Sequence, residues 1–256
     1  MTDDALTFYE QLANDYHLIY IDWEQSIQRH AAALDRVIRF HLPGDGLTVL
    51  DCAAGIGTQA IGLAQRGYRV HATDLSPAAV ARAAQEAERR GVPLTTGMAD
   101  FRTLADQVPG EFDVVLACDN ALPHLVDDAD LLRAAENMRA KLRPGGLLLL
   151  SIRDYDELRR ERPRVTPPTI IDAPEGRRIV FQVWDWAPDG RTYALELFIV
   201  RRAAGGWQTS SYRTRYRALE RAELDAILTR AGLTDTRWYM PQDVGFHQPI
   251  VTARPA

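Results

Sequence analysis

"VLDCAAGIGTQA", residues 49–60, decides how the rest of the chain is read. A short apolar run closes on an acid, Asp51, and two glycines then lead into a segment with helical character, residues 58–67. That is a strand turning tightly into a helix, the opening unit of an α/β fold. Gly55-Ile56-Gly57-Thr58-Gln59-Ala60 also satisfies the G-x-G-x-x-G/A spacing of dinucleotide-binding loops, where glycine lets the backbone approach a ligand closely. The spacing alone leaves the cofactor open.

Working outward, the same alternation continues. Strand-like runs cover 47–52, 68–74, 93–100, 112–119 and 147–153, and helical patterns cover 58–67, 76–91 and 128–146. The second helix opens on Ser76-Pro77 and ends at Gly91, a cap and a stop in the expected places. Pro144-Gly145-Gly146 should halt the third. Short apolar strands alternating with amphipathic helices predict right-handed βαβ units and a mainly parallel sheet. A helical stretch precedes this core. After it, residues 177–219 hold three strand-like runs separated by "APDG" and "AAGG", which reads as an antiparallel meander. A helix (220–231) and two strands (234–240, 246–254) close the chain, too near each other for a crossover and so an antiparallel hairpin at the sheet edge. The expected division is 1–44 (helices over the cofactor), 45–156 (the nucleotide-binding core), 157–219 (the β insertion) and 220–256 (completion of the core).

Composition narrows the partners. Thirty Lys and Arg against 35 Asp and Glu give a net charge of −5, and a sequence-independent grip on nucleic acid needs a basic surface instead. The locally basic "LRRERPR" (158–164) reads as a solvated face. Cys52 and Cys118 fall in buried-strand patterns, so they read as reduced core residues of a cytoplasmic protein, and no metal site is expected. The start lacks an apolar signal region, and "LLLLSI" (147–152) is too short to span a bilayer, so no membrane partner is expected. A homo-oligomer stays open.

Three carboxylates end strands where a ligand of such a sheet lies: Asp51, Asp74 and Asp100. Asp74, 19 positions beyond Gly55, suits ribose hydroxyls in either a dinucleotide or another nucleoside cofactor. Asp51 discriminates, because a carboxylate at the base of the loop opposes a pyrophosphate and favours a ligand with an ammonium and a sulfonium. S-adenosylmethionine is such a ligand, its own carboxylate turning to loop amides and the helix start. Asp100 and Phe101 then suit the adenine, with Leu75 and Met98 lining the same slot.

At this point "VLDCAAGIGT", "VHATDLS", "GMADF", "FDVVLACDNALPHL" and "LRPGGLLLLSIRDYD" resemble, in order, the motif series of class I S-adenosylmethionine-dependent methyltransferases. The pattern is most similar to the glycine and glycine/sarcosine N-methyltransferase group, whose "GNS-x-x-HL" and "HRNYD" stretches match "DNALPHL" (119–125) and "IRDYD" (152–156). The resemblance implies a Rossmann-like, mainly parallel seven-stranded sheet with the terminal hairpin, the meander inserted and the N-terminal helices as a lid. It implies cofactor contacts from Asp51, Ala53, Gly55, Gly57, Thr58, Asp74, Leu75, Asp100, Phe101 and Asp119, with Tyr20 and Arg29 reaching in from the N-terminal segment. Asn120, His124 and Tyr155 are the implied catalytic residues, and Arg153, Asn120 and Tyr16 the implied substrate contacts. Arg153 can anchor a substrate carboxylate or pair with Asp154, Asp156 or Glu157. The group's pattern is broken where Asp119 replaces glycine, Ala121-Leu122-Pro123 a small polar segment, Ile152 histidine and Asp154 asparagine. The expected reaction is methyl transfer by in-line displacement to a small-molecule acceptor, an amine nitrogen on an amino-acid-like or heterocyclic compound. The alternatives are small-molecule O- or C-methylation, an NAD-dependent dehydrogenase, and a cofactor-binding protein without turnover.

Overall fold

In the computed structural model, which describes residues 3–256, the chain forms two sheets and nine helices among the described residues. An N-terminal helix α1 (Asp3–Leu12) and a 3-10 turn (Tyr16–Ile19) lead to α2 (Trp23–His41). The alternating core follows as β1 (Thr48–Asp51), α3 (Thr58–Gln65), β2 (Arg69–Asp74), α4 (Pro77–Arg89), β3 (Thr95–Met98), α5 (Leu104–Gln107), β4 (Phe112–Ala117), α6 (Asp128–Arg139) and β5 (Leu142–Ser151). After α7 (Tyr155–Glu161) come β6 (Thr169–Ala173), β7 (Gly176–Trp186), β8 (Thr192–Ala203) and β9 (Gly206–Arg217). The chain closes with α8 (Arg221–Arg230), β10 (Leu233–Tyr239), the short α9 (Pro241–Val244) and β11 (Ile250–Pro255).

The main sheet has the order β10-β11-β5-β4-β1-β2-β3, with only the terminal hairpin antiparallel. Its central strands alternate between two buried clusters. Leu147, Leu149, Val114 and Leu116 face the side of α2 and α3, whereas Leu148, Leu150, Val115 and Ala117 face the other core. Helices or a second sheet cover both faces, so "LLLL" is a strand with no solvent side. The order of strands reverses beside β1, which places the ligand crevice at the carboxyl ends of β1 and β4.

Local signals account for the helices. Asp22, Ser76 and Asp127 accept from Gln25, Ala79 and Asp130 backbone amides at the starts of α2, α4 and α6. The α2–α3 packing depends on Gly62, where a Cβ would sit 2.7 Å from both Ala31 Cβ and Ile27 O.

Two expectations change. The helix expected over 128–146 ends at Arg139, and "LRPGG" belongs to β5 as an exposed bulge, where the pairing jumps from Phe112↔Leu142 to Val114↔Leu147. Proline and glycine are tolerated there because the bulge needs no ladder bond from them. The meander has four strands, not three. β6 was invisible because it is an edge strand with one buried residue, Ile171, and an exposed Ile170.

The four-stranded sheet, β6-β7-β8-β9, shares one buried cluster with β5 and the helices beside it. It also grips the N-terminal segment. Arg178 donates to the carbonyls of Leu18 and Tyr20, and Arg201 and Tyr212 engage Asp15. The crevice is thereby roofed.

Candidate active site

The glycine loop owes its shape to backbone that only glycine adopts without cost. Gly55 and Gly57 lie at φ 54° and 90°, and a Cβ on Gly55 would approach the Tyr16 ring at 3.3 Å. Asp74 braces the loop, one carboxylate oxygen accepting from Gly55 N at 2.8 Å and the other from Ser76 N at 2.9 Å. Ala54 N and Gly57 N donate to Thr73 O and Ala54 O. Three loop amides expected to meet a ligand carboxylate are therefore already used, and the start of α3 remains for that task. Thr58, the first residue of α3, accepts from the Trp23 indole of α2 at 2.9 Å.

Asp51 is fully buried beneath this loop. Its Oδ1 accepts from Ala53 N at 3.3 Å, while Oδ2 has no hydrogen-bond partner. Burial pushes the carboxyl up to about 8. Neither Asp51 nor Gly57, both expected to contact the cofactor, is among the residues lining the cleft, and a buried carboxyl with one unpartnered oxygen is costly unless a cationic group meets it.

The cleft and the open solvent at its mouth hold about 590 Å³ of empty space. Ala53, Gly55, Thr58, Asp74, Leu75, Asp100, Phe101, Asp119, Tyr16 and Tyr20 all reach its wall. Asp100, however, is bound at both oxygens by Arg102, whose guanidinium is shared with Asp130, so it does not point a free carboxylate at an adenine. Met98 is 62% exposed at the end of the edge strand β3, which buries none of its residues, and it is absent from the cleft wall. Arg29 is also corrected. It sits on the solvent side of α2, whose buried face goes to Ser26, Ile27 and His30, and it is absent from the cleft wall.

Asp119 and Asn120 follow β4 with left-handed backbones, φ 63° and 70°. Two consecutive non-glycine residues there carry strain that the surroundings must hold. Ser151 Oγ accepts from Asp119 N, and Ser151 O from Asn120 N. The Asp119 carboxylate accepts from His247 Nε2 at 2.7 Å, Tyr20 Oη at 3.2 Å, and more distantly from Gln59 and Gln248. Burial opposes its ionisation, yet the charges of His247 and His30 and these hydrogen bonds hold the carboxyl far below its ordinary value. Asn120 Oδ1 accepts from Arg153 N and the Tyr155 hydroxyl, leaving buried Nδ2 without a partner. Tyr155, expected among the catalytic residues, is fully buried behind the wall, bonded to Asn120 and Tyr193. It reaches the site only through them.

A second cavity, holding about 830 Å³ of empty space together with the open solvent at its mouth, lies beneath the small sheet and shares Tyr9, Tyr16, Tyr20 and Asp119 with the first. Arg153 lines it. The expected alternative of an ion pair with its neighbours does not occur: Arg221 takes Asp154 and Asp156. Arg153 instead lies 4.9 and 5.2 Å from the rings of Trp184 and Tyr216 and donates to Tyr193 Oη and Gln182 Oε1. No carboxylate among the described residues pairs with it. Phe8, Leu12, Ile19, Leu195 and Leu197 form the apolar part of this wall, beside the polar Gln182, His247 and Gln248.

His124 reaches the first cavity, but Tyr9 Oη engages its Nε2 at 3.0 Å, Thr214 its Nδ1 at 3.3 Å, and the tilted Tyr216 ring packs with its centroid 4.2 Å away. Burial pushes the imidazole down to about 3, so it is neutral and a weak base. Sequence reading missed Tyr9, Gln59, Tyr193 and His247, which carry no local motif. His247 lies 128 positions from the carboxylate it meets.

With this geometry in view, the comparisons fit. Residues 49–146 match the family described as a methyltransferase domain. The glycine/sarcosine N-methyltransferase of Parasynechococcus marenigrum (strain WH8102) is 35% identical over 138 residues, 54% of this chain and 48% of that protein. The ubiquinone biosynthesis O-methyltransferase of Pseudomonas paraeruginosa (strain DSM 24068 / PA7) is 35% identical over 106 residues, 41% of this chain and 44% of that protein. The chain thus spans about half the length of the curated relatives it matches. The S-adenosylmethionine-bound structure of CalS10, an amino pentose methyltransferase from Micromonospora echinaspora, superposes with TM-score 0.70 at 25% identity, covering 90% of this chain and 92% of that one. Residues 49–146 thus match a methyltransferase domain, and the sheet order, the glycine loop and the ordered motifs agree with the fold of S-adenosylmethionine-dependent methyltransferase structures.

Proposed function

We propose that the protein methylates the nitrogen of a small-molecule amine that also bears an anionic group. The observation that carries this reading is the pair of cavities meeting at Asp119, one walled by the glycine loop and the other holding Arg153 with no acidic partner among the described residues. The residues present fit S-adenosylmethionine. Asp51, with its orphaned oxygen, and Asp74 would hold the cationic and ribose portions, and Leu75 and Phe101 the base. When bound, that cofactor supplies a methyl group already activated by a positive sulfur.

The protein's own work is then positioning and exclusion of water. Holding two reactants in line can contribute roughly 7–11 kcal/mol. Tyr9, Tyr16 and Tyr20 close the junction between the cavities, with Arg178 fastening their segment to the small sheet. Arg153 would orient an acceptor carboxylate through paired N–H donors. The apolar wall of Leu12, Leu195 and Leu197 suits a carbon body larger than that of glycine.

A second reading, O-methylation, is favoured by the relative named as an O-methyltransferase. One experiment separates them. Calorimetry with S-adenosylmethionine and with NAD comes first, then incubation with methyl-labelled cofactor and a panel of glycine, sarcosine, leucine, phenylalanine, phenethylamine and catechol. Label on the amino acids supports the proposal; label on catechol alone supports O-methylation. NAD binding without S-adenosylmethionine binding overturns both.

A further inference from the structure

His247 sits at the mouth of the acceptor cavity with a carboxylate at its back. Its Nε2 is 2.7 Å from Asp119 Oδ1, its side chain is 38% exposed, and its ring stacks on His30 at 4.6 Å. Both His247 and Asp119 line the acceptor cavity, and Asp119 also lines the cofactor cleft. A carboxylate bonded to one imidazole nitrogen fixes the tautomer, placing the proton on that nitrogen and the lone pair on the other. We propose that His247, oriented by Asp119, is the general base that removes a proton from the acceptor before methyl transfer.

The other imidazoles near the site are unsuited. Both ring nitrogens of His124 are engaged, and those of His30 are buried, with Nδ1 beside Gln59 at 3.4 Å. The groups around His247 favour the role. Asp119 after β4 faces it with negative charge, His30 of α2 stacks on it, and Tyr20, Tyr16 and Tyr216 line the same cavity beside Arg153, the cation after β5.

The balance is simple. An ammonium N–H bond breaks, its electrons remain on the acceptor nitrogen as the attacking lone pair, and the proton joins Nδ1 of His247. The exposed ring edge returns it to solvent. Asp119 keeps its negative charge throughout and acts as a positioning residue. A base of this kind contributes on the order of 10²–10⁴-fold.

This assignment rests on the amine-methylation reading, so its test has an arm that needs no acceptor. ¹⁵N spectra of the histidine-labelled full-length protein, with the His247 signals identified by their loss in His247→Gln, should show Nε2–H with Nδ1 unprotonated at pH 7.5. In Asp119→Asn that preference should weaken. A fixed Nδ1–H tautomer overturns the proposal whatever the acceptor is. With any compound labelled in the panel above, His247→Gln should lower kcat at least 100-fold, leave S-adenosylmethionine affinity within threefold, flatten the acid limb of the pH profile and be partly rescued by imidazole. A kcat within threefold of the parent protein also overturns it. If the panel yields no labelled compound, the amine reading fails while the spectra still decide the dyad.

Discussion

The cofactor cleft and the acceptor cavity adjoin, yet they are assembled on different principles. The cleft is made by consecutive residues at the ends of parallel strands, and most of its wall comes from short segments 52–59, 74–75 and 99–101. The acceptor cavity draws its wall from α1, the 3-10 turn, β7, β8, β9 and the loop before β11, elements scattered over the whole chain. The first is a backbone device with a few fixed charges; the second is a collection of side chains whose chemistry can change without touching the sheet. One architecture can therefore keep its cofactor while the acceptor varies.

The sharpest way to break this contrast is Asp51→Asn. If the cleft works through that single buried charge, affinity for S-adenosylmethionine should fall about 100-fold, in line with ~1.5–3 kcal/mol for a hydrogen bond to a charged group. The cofactor-free variant should melt higher than the parent protein at pH 7. An acid whose carboxyl is raised on folding loses stability as pH climbs from its unfolded value of about 4 toward about 8, and asparagine removes that loss. Melting curves with and without cofactor check both signs.

Arg153→Ala probes the other cavity. The acceptor KM should rise roughly 10–100-fold, consistent with losing a charged hydrogen-bonded anchor. Cofactor affinity by calorimetry should stay unchanged. An unaltered KM would place the anionic group elsewhere and favour O- or C-methylation.

The pH dependence of cofactor binding sharpens the picture further. A cationic ligand binds the ionised form of Asp51, so it must release a proton below about pH 8. The dissociation constant should then fall by up to about tenfold per unit as pH rises from 6 toward 8, and level off above. Asp51→Asn should abolish the slope.

The smallest effect is expected at Tyr155→Phe. Removing a hydroxyl that bridges Asn120 and Tyr193 should cost about 1 kcal/mol of stability, read by urea denaturation. kcat should fall less than tenfold. A loss of 100-fold or more would restore Tyr155 to the reacting centre.

How far each region could be read from sequence follows the same division. The strand-to-helix turn that carries Asp51, Gly55 and Gly57, and the strand end at Asp74, were legible because strand ends and glycine turns are local and the ligand crevice of such a sheet has a fixed place. Arg153 was legible for the same reason, standing just after β5, but its freedom from acids was not, since that depended on Arg221 occupying Asp154 and Asp156. Met98 and Arg29 misled because a position can sit at the right end of an element and still point outward.

Hydrophobic alternation, glycines that must take positive φ and acids at strand ends were enough, by themselves, to determine the parallel core and the place of its ligand crevice, because these signals act over a few residues and have one packed solution. Folding alone decided that His247 meets Asp119, that Tyr9 meets His124 and that Arg153 stands against Trp184 without a carboxylate. Those contacts join residues far apart in the chain, and their distances are set by how the small sheet, the N-terminal helices and the terminal hairpin pack around the crevice.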